Sequence, residues 1–328
     1  MIQSSKALLA ALLLSAGSHA AGVDPALPRY LPRAVEVPRE AGYVSPTGEV
    51  VVVGYNDMRE LLEPLAARFT AAHPNVRFKL DLPGTRFGPA ALAKGESAFA
   101  PMGAEFTPPQ LAEYRTQRRE DPIPVRVAHA SLDPRALSGP LAVFVHRDNP
   151  LAALTLDPVA RVFSGEVRLW GELGVGGDWA TRPIKTYGMS SGTALSHAFR
   201  DAAMGGRAYG AQLVGLPQSA DLVEKIAQDP SSIGFAAAMR ATALARVLPV
   251  AARAGDKPVM PTEEDIVANR YPLDRFLLVY VSRPVTPLAR EFLRLVLSRE
   301  GQEAVAATPQ RYLPLSARDA AAELAKLD

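Results

Sequence analysis

Cysteine is absent from all 328 residues. That excludes disulfides, thiolate metal sites, cysteine nucleophiles and lipid attachment through a cysteine. An excess of one charge is also missing, because 36 Lys and Arg oppose 34 Asp and Glu for a net +2. The densest basic run, residues 115–119, is followed at once by Glu120 and Asp121. Nucleic-acid binders need a concentrated basic face, so no nucleic-acid partner is expected. Histidines are few, none lies at i, i+3 or i, i+4 from another, and no acidic cluster accompanies one. No metal or cofactor is expected on that ground. Beyond the N-terminus, Arg, Asp or Pro interrupts every apolar run, so no membrane-spanning segment is predicted. What remains is 48% apolar and 21% charged, the composition of a soluble globular chain of about two domains.

Residues 1–21 have the build of a cleaved export signal. Lys6 opens it, an apolar stretch covers residues 7–14, and Ser18-His19-Ala20 is a small-x-small cleavage site. The apolar stretch is shorter than the ~20 residues that cross a bilayer. The mature chain is expected to begin near Ala21 and to be periplasmic or secreted. Residues 22–47 carry Pro25, Pro28, Pro32, Pro38 and Pro46, which predicts an extended arm lying on the surface.

Strands then alternate with helices, the pattern of sheets covered by helices on both faces. Val50-Val51-Val52-Val53 suits a buried strand, and Asp57 is placed to N-cap a helix with Leu61, Leu62, Leu65, Ala66 and Phe69 on one face. Further strands are expected at 76–80, 97–102, 141–145, 184–187, 233–236 and 276–281. Helices are expected at 89–94, 158–163, 193–204, 220–228, 288–297 and 300–306, with a frayed one over 317–328. Glu263-Glu264-Asp265 suits a solvated helix start.

In open α/β sheets, ligands collect beyond the carboxyl ends of strands, where helix N-termini expose N–H groups. Three turns fit: Gly54-Tyr55-Asn56-Asp57, Gly84-Thr85-Arg86, and Ser190-Ser191-Gly192-Thr193. In the third, hydroxyls and a glycine at a helix start suit an oxyanion, although Ser190 or Ser191 would equally serve as a plain N-cap. Gly188-Met189-Ser190-Ser191-Gly192 also matches the G-x-S-x-G elbow of serine hydrolases. That chemistry needs a histidine from a later loop, and the only later one, His197, sits in the following helix. An enzyme is therefore not expected.

Collinear segments over residues 51–315 carry a family resemblance. They include Phe69-Thr70-Ala71-Ala72-His73-Pro74-Asn75-Val76, Asp148-Asn149-Pro150-Leu151, Val162-Phe163-Ser164-Gly165, Leu169-Trp170 and Arg182-Pro183-Ile184-Lys185-Thr186-Tyr187-Gly188. Ser191-Gly192-Thr193, Asp229-Pro230-Ser231-Ser232-Ile233-Gly234-Phe235, Tyr271-Pro272-Leu273 with Arg275, and Arg311-Tyr312-Leu313-Pro314-Leu315 follow in order. The chain resembles the substrate-binding proteins of phosphate ABC transporters, of the periplasmic-binding-protein class. The resemblance implies a two-lobed type II fold, each lobe a mixed, mostly parallel sheet flanked by helices. Lobe one would comprise residues 48–139 and 249–328, lobe two 140–248, with crossings near Gly139-Pro140 and Leu248. It also implies a monomer that holds inorganic phosphate or a related oxyanion between the lobes and presents it to an ABC permease in the inner membrane.

In that family three loops, an arginine and an aspartate hold the anion, the aspartate accepting the proton of hydrogen phosphate. By resemblance the ligand residues here are Ser190, Ser191, Gly192, Thr193, Tyr55, Asn56, Asp57, Gly84, Thr85 and Arg86. The family's arginine position holds Tyr187, however, and its aspartate falls near Met102 or Gly103. Arg86 or Arg182 is left to supply a guanidinium, and Asp57 or Glu105 a proton acceptor; otherwise Arg86 is solvated and Asp57 caps its helix. Those gaps leave a second function open, a repurposed adhesion, sensory or matrix protein without tight phosphate binding. A serine hydrolase is the remote third.

Overall fold

The computed structural model describes residues 22–328, and the expected export signal over residues 1–21 lies outside them. The chain runs through β1 (Val50–Val53), α1 (Arg59–Ala72), β2 (Phe78–Asp81), α2 (Gly88–Lys94), β3 (Ala100–Met102), α3 (Pro108–Arg118) and β4 (Ile123–His129). It continues through β5 (Leu141–His146), β6 (Leu154–Thr155), α4 (Leu156–Ser164), β7 (Lys185–Met189), α5 (Ala194–Met204), β8 (Val214–Leu216), α6 (Ser219–Gln228), β9 (Ser232–Ala237), β10 (Ala245–Val247), β11 (Val250–Ala251) and α7 (Glu263–Val267). β12 (Phe276–Val281), α8 (Pro287–Val296), α9 (Arg299–Ala306) and α10 (Ala317–Ala325) complete it.

Apolar burial groups these elements around two large cores, one for each lobe of an α/β fold. A smaller third cluster lies in the first lobe, where Leu92, Met102, Phe106, Tyr114 and Tyr280 meet. In the first core, Val52, Met58, Leu65, Phe69, Phe99, Phe292 and Tyr312 are buried together. β1 pairs parallel with β2, and β12 lies antiparallel between β3 and β4. The seam between β1 and β3 is irregular because Pro101 has no N–H to give. Ala98 N donates to Val51 O at 3.0 Å and Tyr55 N to Pro101 O at 2.9 Å, which continues the sheet across it. The second core surrounds a sheet of order β10-β5-β9-β7-β8. β7 is parallel to both neighbours, whereas β5 is antiparallel to both of its own. Phe163, Phe199 and Phe235 fill the space under it, the last two stacked at 3.8 Å between centroids.

Two strands of backbone join the lobes side by side. Leu141 N donates to Leu273 O at 2.9 Å, and the Tyr271 hydroxyl to Leu141 O at 2.7 Å. Leu248, Val250, Ile266, Tyr271 and Leu273 all pack in the second core. The chain thus returns to the first core after Leu273, and not near Leu248 as the sequence suggested. Those five apolar residues are too widely spaced to show a period, so only packing reveals their side.

The proline-rich arm lies on the first lobe, with Leu27 in its core. Its backbone is held by carboxylates: Tyr30 N donates to Glu300 and Arg33 N to the buried Glu291. The C-terminal helix α10 is not frayed. Ser316 caps it, Ala320 and Leu327 are buried, and Glu323 accepts from Arg126 N at 2.9 Å.

Candidate functional site

α5 begins where β7 ends. Gly192 adopts φ +87°, a left-handed conformation that favours glycine, and turns the chain from strand to helix. The cap is Thr193, neither Ser190 nor Ser191. Its hydroxyl donates to Ser190 O at 2.9 Å and accepts from Ser196 N at 3.2 Å. Ser190 N is fixed on Leu216 O, while Ser191 and Gly192 are exposed. The amides of Ala194 and Leu195, in the first helical turn, have no partner among the described residues. A helix start of this kind presents unsatisfied N–H groups and the positive end of the helix dipole.

A cavity of about 620 Å³ lies alongside α5 between the lobes. Ala194 is the one residue of the helix start that lines it, and none of residues 190–193, 55–57 or 84–86 does. Ala194, His197, Ala198, Asp201 and Ala202 line it from one face of α5. Glu105, Phe106 and Leu111 face them from lobe one, and Tyr271, Asp274 and Arg275 close it at the second crossing.

The first loop of lobe one is built differently from expectation. Asp57 does not cap α1; it sits inside a 3-10 turn, Asn56–Met58, that precedes the helix. Its carboxylate accepts from Leu137 N at 3.0 Å and from the Tyr312 hydroxyl. Burial, with the neighbouring Tyr55 and Asp57, raises the pKa of Tyr312. Asp57 is thus bound to the first crossing. Tyr55 is also buried, its hydroxyl 3.1 Å from Ser138 Oγ, and burial pushes it up to about 12. Ser138 in turn donates to Gly103 O at 3.1 Å. A Cβ added at Gly103 would come within 2.3 Å of the Tyr55 ring. The ring therefore fills the room a side chain at 103 would need, while Met102 is wholly buried. Neither position offers an acidic group to the cavity.

Gly84 N donates to Gly54 O at 2.9 Å, so the second loop sits against the first. Thr85 is half-buried, Asn56 and Arg86 are exposed, and the Arg86 guanidinium lies 4.5 Å over the Phe87 ring. Arg182 lies likewise over Trp179. Neither arginine is among the residues lining the cavity. Glu105 does line it. No hydrogen bond among the described residues joins the 190–193 turn to either first-lobe loop. Ser190 has no histidine partner among them either; His197 Nδ1 lies instead 3.4 Å from Arg200 Nη2.

The second crossing carries polar groups that the sequence did not single out for function. Asp274 Oδ2 is 2.7 Å from Nδ1 of the fully buried His129. Burial raises the Asp274 pKa, and the His129 contact opposes that. Arg275, also buried, donates from Nη2 to Gly103 O at 2.9 Å and from Nη1 to Gly139 O at 3.4 Å. The available signal was a lone arginine directly before the apolar run of β12.

Comparison with known proteins agrees with this architecture. The family description "PBP superfamily domain" matches residues 41–300. Two phosphate-binding proteins PstS, from two strains of Pseudomonas aeruginosa, are each 31% identical over 330 aligned residues, covering 95% of this chain and 96% of theirs. Among solved structures, an ABC-type phosphate transport receptor from Vibrio cholerae superposes with TM-score 0.55 at 15% identity, over 81% of this chain and 99% of that one. PstS from Borrelia burgdorferi gives 0.53 at 16%, over 81% and 98%. At those identities the structures speak for the fold alone, a two-lobed binding-protein fold. With the family description covering most of its length and the Pseudomonas relatives nearly all of it, the chain belongs to the PBP superfamily and, within it, to the substrate-binding proteins of phosphate ABC transporters.

Proposed function

We propose that this protein is a solute receptor for phosphate or a related oxyanion, which it holds between its lobes and passes to an ABC transporter. The supporting observation is an inter-lobe cavity lined by Ala194, whose amide in the first turn of α5 has no partner among the described residues, in a chain of this family. Backbone N–H groups at a helix start, with hydroxyls beside them, stabilise an anion without needing a metal. In this reading the turn Ser190, Ser191, Gly192 and Thr193 borders the seat on lobe two, while Gly84, Thr85 and Arg86 belong to a first-lobe loop outside the cavity lining, Arg86 being stacked on Phe87. Tyr55, Asn56 and Asp57 shape the first-lobe loop, Asp57 being engaged by Leu137 and Tyr312. Lobe one takes residues 22–139 and 274–328, and lobe two takes 140–273. The protein works as an exported monomer with its signal over residues 1–21 removed. Among the described residues no helix is long and apolar enough to cross a membrane.

Calorimetric titration of the purified protein with phosphate, arsenate and sulfate tests the reading. Saturable binding of at least one of them at a single site is expected. No heat and no shift in melting temperature with any of the three would refute it.

A further inference from the structure

Arg275 is a buried cation without a counter-ion. Its relative exposure is 7%, and among the described residues no carboxylate pairs with it. A guanidinium carries five N–H donors. Two contacts, to Gly103 O and Gly139 O, account for its bonds here, the second long at 3.4 Å, and Nε has no partner. Moving a charge out of water is costly unless it is paired, and two neutral carbonyls satisfy it only in part. The neighbouring Asp274 is taken up by His129.

The other guanidiniums that line the cavity are differently placed. Arg115 forms a two-bond fork with Asp121 at 2.5 and 2.9 Å, both side chains exposed. Arg126 stacks 4.2 Å over the Phe276 ring and lies 4.0 Å from Glu323. Among the described residues, Arg275 alone of the three has neither an acidic nor an aromatic partner. The cavity it lines is also lined by Ala194, whose amide at the start of α5 has no partner among the described residues.

We propose that Arg275 is the cation of the anion seat: the bound oxyanion lies between its guanidinium and the first turn of α5. This assignment rests on the oxyanion-receptor reading and adds a residue to it. It also accounts for how the protein manages with Tyr187 where an arginine was expected, and with Arg86 and Arg182 stacked elsewhere. The anion meets donors from both sides of the cavity: the helix start on lobe two, and on the other a guanidinium held on Gly139 O at the first crossing and on Gly103 O just after β3. A charge-assisted hydrogen bond of this type is about twice as strong as a neutral one.

The test is calorimetric titration of the full chain and its variants with inorganic phosphate, alongside melting curves with and without it. Arg275→Gln is expected to weaken binding about tenfold to a hundredfold. It should also lose the phosphate-induced rise in melting temperature while the ligand-free melting temperature stays level or rises. A purely structural arginine would do the reverse. Arg275→Lys keeps the charge but loses the fork, and should fall between the two; Arg182→Gln should bind as the unaltered protein does. Arsenate soaked into crystals of the unaltered protein should scatter within hydrogen-bonding distance of an Arg275 Nη, which keeps the test decisive even where Arg275→Gln fails to fold. Binding by Arg275→Gln within twofold of the unaltered protein, or arsenate seated on residues 190–193 without touching Arg275, overturns the proposal and leaves the receptor reading intact. Failure of the unaltered protein to bind any oxyanion removes both.

Discussion

At the scale of single residues, Gly103 and Tyr55 of lobe one are packed directly against each other. The ring lies where any side chain at 103 would go. Gly103→Ala should therefore cost about 1–3 kcal/mol through overpacking. In a Tyr55→Ala background the same change should cost less, because the ring is gone, although Ser138 Oγ, 2.7 Å from the added Cβ, still stands in the way. A double-mutant cycle by urea unfolding checks this, and strictly additive costs would show that the two groups do not meet. Little of this pairing was legible in the sequence. Gly103 and Tyr55 are 48 positions apart, and nothing local marks a glycine as making room for a distant aromatic. The turn at residues 190–193 was legible, because a hydroxyl and a glycine between a strand and a helix act locally. Even there, which hydroxyl caps the helix depends on one dihedral angle, and Thr193 took the role. Arg275 was legible only as part of the family resemblance and without a role, because its importance lies in the partners it lacks, which only packing reveals.

At the scale of elements, periodicity located most helices and strands, since burial of one face leaves a regular trace. β12 and α5 came close to their observed bounds. α3 and β4 were missed. α3 buries only Tyr114, and β4, although its first residues alternate buried and exposed, carries Pro124, which argues against a strand in a sheet interior. The arm shows what an element without periodicity can still do. It has no regular structure over most of its length, yet Leu27 is 3% exposed and the backbone of Tyr30 and Arg33 is held by Glu300 and Glu291. Leu27→Ala should lower the unfolding free energy by about 2–4 kcal/mol, within the range for large-to-small changes in a core. A loss below about 0.5 kcal/mol in urea titration would mean that the arm merely rests on the surface.

At the scale of the whole molecule, buried tyrosines set an alkaline limit. Burial pushes Tyr55, Tyr209 and Tyr280 up to about 12 each, and it raises Tyr271 and Tyr312 as well. The unfolded chain ionises these phenols near 10.0 while the folded chain keeps their protons. Above that pH the folded state binds more protons, so stability falls as pH rises. The contribution is complete below about 10 and fades between about 10 and 12. Unfolding free energies measured across that window should drop steadily, with tyrosinate absorbance appearing together with loss of structure. A flat profile, or ionisation at the ordinary pKa without unfolding, would contradict it.

The hydrogen bond from Tyr271 to Leu141 has a consequence for the molecule's modularity. Everything between those residues departs from and comes back to a single spot, and it encloses a core of its own. Residues 140–273 consequently meet the geometric condition for an insert: excised, they would leave adjoining ends in the host that a short linker could reconnect, and they could be circularly permuted by joining their own.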